Sequence, residues 1–311
     1  WSPVGSPGFS TGGPLYLSLA LDTSGDPVVA YEDLANGGMA TVMRWDGSSW
    51  STVGSPGFSG ADAPFTSLAL DASGNPVVSY SDGANGYMTT VMRWDGSSWS
   101  TVGSPGFSAG MAISNSLALD ASGNPVVAYQ DVANGNKTTV MRWDGSSWSA
   151  VGSSGISAGV AWSPSLALDP SGNPVVAYRD GANGQRTTVM RWDGTSWITM
   201  GTAGFTGVNT SNSTRWLQVD AHGRLVVAYA SGYMYAKRYG HTITTDAIAG
   251  SPFCAGASVS VPFTTFGTFS LGNTFFDHLR RSINHVFGFL QAQASDFADN
   301  FDDTDLVGTS L

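Results

Sequence analysis

"SLALDASGNPVVSYSDGANGYMTTVMRWDGSSWSTVG" (residues 67–103) divides at its own punctuation. "SLALD" (67–71) ends at the turn "ASGN", "PVVSYSD" (76–82) ends at "GANGYM", "TTVMRWD" (89–95) ends at "GSS", and "WSTVG" (99–103) follows. Apolar β-formers bounded by Gly, Asn, Asp and Ser read as four antiparallel strands, a to d, joined by tight turns. Strands b and c are largely apolar on both faces, which suits a small sheet stacked between two others.

The stretch recurs. Trp1, Trp50, Trp99, Trp148 and Trp197 are each 49 residues apart, as are Asp22, Asp71, Asp120 and Asp169. Four strands in a strict period of this length predict the blades of a β-propeller. Five a-b-c sets are present, the fifth more divergent at "RWLQVD" (215–220) and "YMYAKRYGH" (233–241), and it lacks the "DGANG" loop. Strand d also occurs five times, but its first copy, "WSPVG" (1–5), precedes the first strand a. The expected architecture is therefore an all-β, five-bladed propeller over residues 1–241, closed by the N-terminal strand as outer strand of the last blade.

Charged residues make up 12% of the 311-residue chain and the net charge is −10, with the few arginines spread one per repeat. No basic stripe is present, so a nucleic-acid partner is excluded. No apolar run is long enough for membrane insertion. Cys254 is the only cysteine, so no intramolecular disulfide and no cysteine-based metal site can be built. His222, His241, His278 and His285 show no metal spacing, and no cofactor is expected.

Phrases such as "SLALDASGNPVVAYQDVANGNKTTVMRWDGSSW" resemble those of bacterial secreted and cell-surface β-propeller proteins, which implies secretion or surface display. The remainder, 242–311, contains "SPFCAGASVSVPFTTFGTF" and "AQASDFADNFDDTDLVGTSL", which resemble the Ig-like β-sandwich modules of large bacterial surface proteins. The module is incomplete on this reading. Either the chain is truncated, or the open edge is filled by another chain in self-association. "FDHLRRSINHVFGF" (276–289) departs from such modules and reads as a short amphipathic helix with Leu279, Ile283 and Val286 on one face.

The "DGSSW" hairpin resembles the Asp-box turns of sialidase-like propellers, but a sialidase would also need an arginine cluster with a Tyr/Glu nucleophile pair, and Glu32 is the only glutamate. The motif is read as structural. Arg44, Arg93, Arg142 and Arg191 alternate with valine in strand c and are expected to pair with a buried carboxylate of their own repeat, Asp82 or Asp71 in the case of Arg93.

The a–b and c–d turns are near-perfect copies, whereas differences collect in the d–a and b–c segments, which share one propeller face. The d–a differences are Leu15, Pro64, Ile113 and Trp162, then Tyr16, Phe65, Ser114 and Ser163. The b–c differences are Glu32, Ser81, Gln130 and Arg179, then Gly38, Tyr87, Asn136 and Gln185. Variation on one face of a copied scaffold marks a recognition surface, or else longer loops simply tolerating drift.

In the same loops Asp33, Asp82, Asp131 and Asp180 recur with Asn36, Asn85, Asn134 and Asn183. Two readings stand for them: carboxylate and amide gripping sugar hydroxyls, with Tyr16, Phe65 or Trp162 stacking on a sugar face, or local turn-forming side chains. The sequence thus favours a non-catalytic extracellular protein that binds glycan or a surface protein through the d–a/b–c face. The alternative is a subunit of an extracellular filament or surface layer assembled through the C-terminal segment. An enzyme is disfavoured because no acid/base pair, nucleophile–base set or metal cluster emerges.

Overall fold

A computed structural model describes residues 2–206, 210, 215–220, 224–231 and 233–239. The expectations for the C-terminal segment, including its Ig-like character, the helix at 276–289 and its part in self-association, lie outside the described residues.

The expected strands are present in all five blades except the N-terminal strand expected to close the fifth. The first blade comprises β1 (Pro14–Leu21), β2 (Pro27–Asp33), β3 (Met39–Trp45) and β4 (Trp50–Thr52), and the second β5 (Ser67–Leu70), β6 (Pro76–Asp82), β7 (Met88–Trp94) and β8 (Trp99–Thr101). The third holds β9 (Ala112–Leu119), β10 (Pro125–Asp131), β11 (Lys137–Trp143) and β12 (Trp148–Ala150); the fourth holds β13 (Ala161–Leu168), β14 (Pro174–Asp180), β15 (Arg186–Trp192) and β16 (Trp197–Thr199). The fifth holds β17 (Arg215–Val219), β18 (Leu225–Ser231) and β19 (Tyr233–Arg238). Each sheet is an antiparallel meander in chain order, the arrangement of a five-bladed β-propeller.

Successive residues of a strand face opposite sides, so each blade feeds two cores. Val78 and Tyr80 pack against Val28, Ala30 and Val42 of the first blade, while Val77 and Val91 pack against Leu117, Val127 and Tyr129 of the third. All seven residues of β6 are buried, as the two-sided apolar pattern required. Strand a connects successive blades: the backbone N–H groups of Leu68, Leu117, Leu166 and Leu217 donate to the hydroxyls of Ser18, Ser67, Ser116 and Ser165 in the preceding blade, at 2.9 to 3.1 Å.

The copied turns are hydrogen-bonded knots. Asp95 accepts from the backbone and hydroxyls of Ser97 and Ser98, which holds its carboxyl far below the usual range. Gly54 sits at φ +73° with a would-be Cβ 2.7 Å from the Trp94 ring, so only glycine lets the chain leave strand d here.

The arginines differ in part from expectation. Arg191 does pair with Asp169, the counterpart of Asp71, at 2.6 Å. Arg44, Arg93 and Arg142 instead donate across the blade boundary to the carbonyls of Gly74, Gly123 and Gly172 in the next a–b turn. Asp82 is not a partner of Arg93, because its oxygens are taken within its own loop.

The expected closure by residues 1–5 is also corrected. Ser2 to Gly5 form no strand, and the fifth sheet has three strands among the described residues. Val4 and Phe9 are instead held by the first blade: the Trp50 indole N–H donates to the Val4 carbonyl at 2.9 Å and Phe9 stacks on Trp50 at 4.0 Å. A ladder there would require the fifth blade to reach the first, and the inner strand of the first blade is uncovered. Leu19 is 64% exposed, whereas its counterparts Leu68, Leu117 and Leu166 are each 7% exposed.

Candidate functional site

The recurring Asp–Asn pairs are the loops' own framework. Each b–c loop is a short 3-10 turn begun by the aspartate and ended by a left-handed glycine. Asp82 accepts from the Ala84 N–H (3.0 Å), the Asn85 amide (2.9 Å) and the Thr90 hydroxyl (2.7 Å), and Thr90 in turn accepts from the Gly106 N–H (2.8 Å). Asp33, Asp131 and Asp180 likewise bind Asn36 and Thr41, Asn134 and Thr139, and Asn183 and Thr188. All four aspartates are buried, so their carboxylates face the turn and the following linker rather than the loop surface.

The aromatic candidates lie elsewhere on the same face. Tyr16 and Phe65 touch across the boundary between the first two blades, ring centroids 4.5 Å apart, and Trp162 lies under the Arg179 guanidinium at 4.8 Å. Tyr16 and Phe65 have φ of 48° and 59°, and their counterparts Ser114 and Ser163 have 57° and 43°. The b–c tips repeat the feature: Tyr87, Asn136 and Gln185 have φ of 60°, 60° and 61°. Among the described residues these two sets account for every non-glycine residue with positive φ.

The tip conformation has a structural duty. It turns the carbonyls of Gly38, Tyr87 and Asn136 onto the N–H groups of Ala63, Ala112 and Ala161, where the next blade begins, at 2.9 Å each. Gly38 performs this duty without a side chain. A left-handed conformation costs a non-glycine residue roughly 1–2 kcal/mol, so the side chains at 87, 136 and 185 are carried at a cost the docking role does not require.

In the third and fourth blades these side chains meet the variable residue six positions earlier in strand b. Gln130 donates to the Asn136 side chain at 3.2 Å, and Arg179 donates to the side-chain amide oxygen of Gln185. Ser81 is served by Asn115 at 3.2 Å and donates to the Ala112 carbonyl, while Tyr87 reaches back to Asp62 at 3.1 Å. Glu32 has Gly38 in the matching place and is only 6% exposed. Burial, then the charge of Asp62, raises its pKa.

Asp62 and Asn115 are site residues that loop-by-loop reading passed over. The signal was available for Asp62, whose counterparts are Gly13, Met111 and Val160: a charge stands where the other repeats carry none.

Among the described residues no group of three or more His, Cys, Asp and Glu side chains could hold a metal ion, and no helix is long and apolar enough to cross a membrane.

No family model matches the chain, and no curated protein matches it in sequence. Solved structures do match in fold. The fungal lectin of Aleuria aurantia, a six-bladed β-propeller with a fucose recognition mode, is 19% identical with a TM-score of 0.55, covering 83% of this chain and 81% of the lectin. AofleA from Arthrobotrys oligospora is 14% identical with a TM-score of 0.54, covering 76% and 77% of the two chains. A polysaccharide lyase acting as an ulvan lyase is 14% identical with a TM-score of 0.52, covering 83% and 70%. At these identities the likeness is one of fold.

Proposed function

We propose that this protein is a non-catalytic carbohydrate-binding propeller, secreted or displayed at a cell surface, that engages glycan through the d–a/b–c face. The observation that carries the reading is the coincidence of variation and strain: every non-glycine residue held in the left-handed region, among the described residues, sits at one of two loop positions that vary between repeats. Tyr16, Phe65 and Trp162 supply the flat apolar surfaces that a sugar ring stacks on, and Gln130, Asn136, Arg179 and Gln185 supply donors and acceptors. The fucose-recognising fungal lectin of the same fold supports a sugar as the ligand class. Different side chains on a copied frame give four related sites, which gain by avidity on a repetitive glycan.

The test is a glycan array probed with the parent chain and with Phe65→Ala and Trp162→Ala. Binding by the parent that drops in both folded variants supports the reading. An array on which the parent binds nothing overturns it.

A second reading, a subunit that assembles with copies of itself, is favoured by the uncovered leucines of β1. It calls for oligomers that grow with concentration in light scattering, and a monomer at all concentrations excludes it.

A further inference from the structure

The boundary between the first two blades differs from the others in charge. Glu32 in β2 and Asp62 in the segment entering the second blade converge over Gly38: a Cβ built there would lie 2.5 Å from Asp62 Oδ1 and 3.5 Å from Glu32 Oε1. In the third and fourth blades this volume belongs to the side chain that satisfies Gln130 or Arg179. In the first blade the partner is missing and a second carboxylate has moved in.

Among the described residues Glu32 accepts no hydrogen bond, and its Oε2 is buried without a partner. Asp62 is held by one neutral donor, the Tyr87 hydroxyl. Among the described residues neither acid has a basic partner. A buried carboxylate is ordinarily paired or hydrogen-bonded, and Glu32 is neither among the described residues. The raised pKa of Glu32 reports the same deficit.

The acceptors select among the cations that could answer them. Two carboxylates without a third metal-ligating side chain fall short of the six to eight oxygens that calcium takes. An ammonium group has three N–H donors and one positive charge, and Glu32, Asp62 and the Tyr87 oxygen offer three acceptors of net negative charge. Leu15 pairs with Glu32 across the β1–β2 ladder and precedes Tyr16, whose ring touches that of Phe65. We infer that the Glu32–Asp62–Tyr87 corner seats a primary ammonium group, that of an amino sugar with a free amine, beside the Tyr16–Phe65 surface.

This rests on the glycan-binding reading and gives one of its sites a substrate class. The test uses isothermal titration of the full chain with a glucosamine tetramer and with its N-acetylated counterpart, for the parent, Glu32→Gln and Asp62→Asn. Circular dichroism confirms the fold of each variant. The parent is expected to prefer the free amine by at least about tenfold, and each variant to lose that preference, the scale of a charge-assisted hydrogen bond. Equal affinity for the two tetramers, or a preference that survives in both variants, overturns the inference.

Glycans bound elsewhere on the array with no amine preference would overturn the inference and leave the carbohydrate reading standing, whereas no glycan bound at all would remove both. Tighter binding of oligolysine than of the glucosamine tetramer, dependent on Glu32, would overturn the amino-sugar assignment in favour of a protein partner. A calcium-induced rise in melting temperature that Glu32→Gln abolishes would overturn it in favour of a metal.

Discussion

The Trp148 indole N–H donates to the carbonyl of Val102, 2.8 Å away at the end of the preceding blade, while its ring stacks on Phe107 at 3.8 Å. Trp99 and Trp197 make the same bond to Val53 and Val151. The tryptophan that marks the repeat in the sequence is thus the clasp that joins one blade to the exit of the blade before it. Trp148→Ala is expected to cost about 3–5 kcal/mol in denaturant unfolding. Trp50→Ala should cost less, since it clasps only the segment of Val4 and Phe9.

Leu68 and Leu19 occupy equivalent positions with opposite burial. Leu68→Ala should destabilise by about 2–5 kcal/mol, and Leu19→Ala by no more than about 0.5 kcal/mol. Equal costs would mean that the first blade has a covering neighbour in solution.

Asp82 serves three internal donors. Asp82→Ala leaves them unpaired, at a cost of about 1–3 kcal/mol, and glycan binding by the folded variant should match the parent. Loss of binding without loss of stability would return the aspartates to the ligand site.

Ser114 lies at φ 57°. Ser114→Gly should raise stability by about 1 kcal/mol, seen as a higher melting temperature, because release of left-handed strain exceeds the added freedom of the unfolded chain.

Glu32 binds its proton more tightly in the folded state than in the unfolded one, so its effect on stability is most favourable below the ordinary glutamate range and is lost as pH rises through the folded value. Glu32→Gln, which does not titrate, should therefore gain stability relative to the parent as pH rises to 7, and the gain should vanish in acid. Thermal melts across pH check this, and a gap independent of pH would mean that the charge of Glu32 is not the cause.

The strands were legible because period and turn chemistry coincide: β6 and β14 end at the aspartate that the turn signal named. What the pattern could not carry was burial and curvature. Asp82 reads equally as sugar ligand or turn former until its neighbours are known. Arg93 has acids in its own repeat, yet binds a carbonyl thirty residues on, because the blades stack closely enough for the next turn to be nearer. Closure by residues 1–5 depended on the angle between successive blades, which no local motif encodes. The Glu32–Asp62 corner was within reach, since the single glutamate stood beside a glycine and opposite an aspartate that no other repeat has.

The uncovered inner strand of the first blade gives the molecule a direction. Among the described residues each blade packs on its neighbours in the chain, so the free energy of opening one blade is set by how many of these interfaces must be broken. The second and third blades must part from neighbours on both sides, and the first from one. Amide protons in β1 and β2 should therefore exchange with solvent through cheaper partial openings than those in β6 and β10, and unravelling should proceed from that end inward, taking the Glu32–Asp62 corner first.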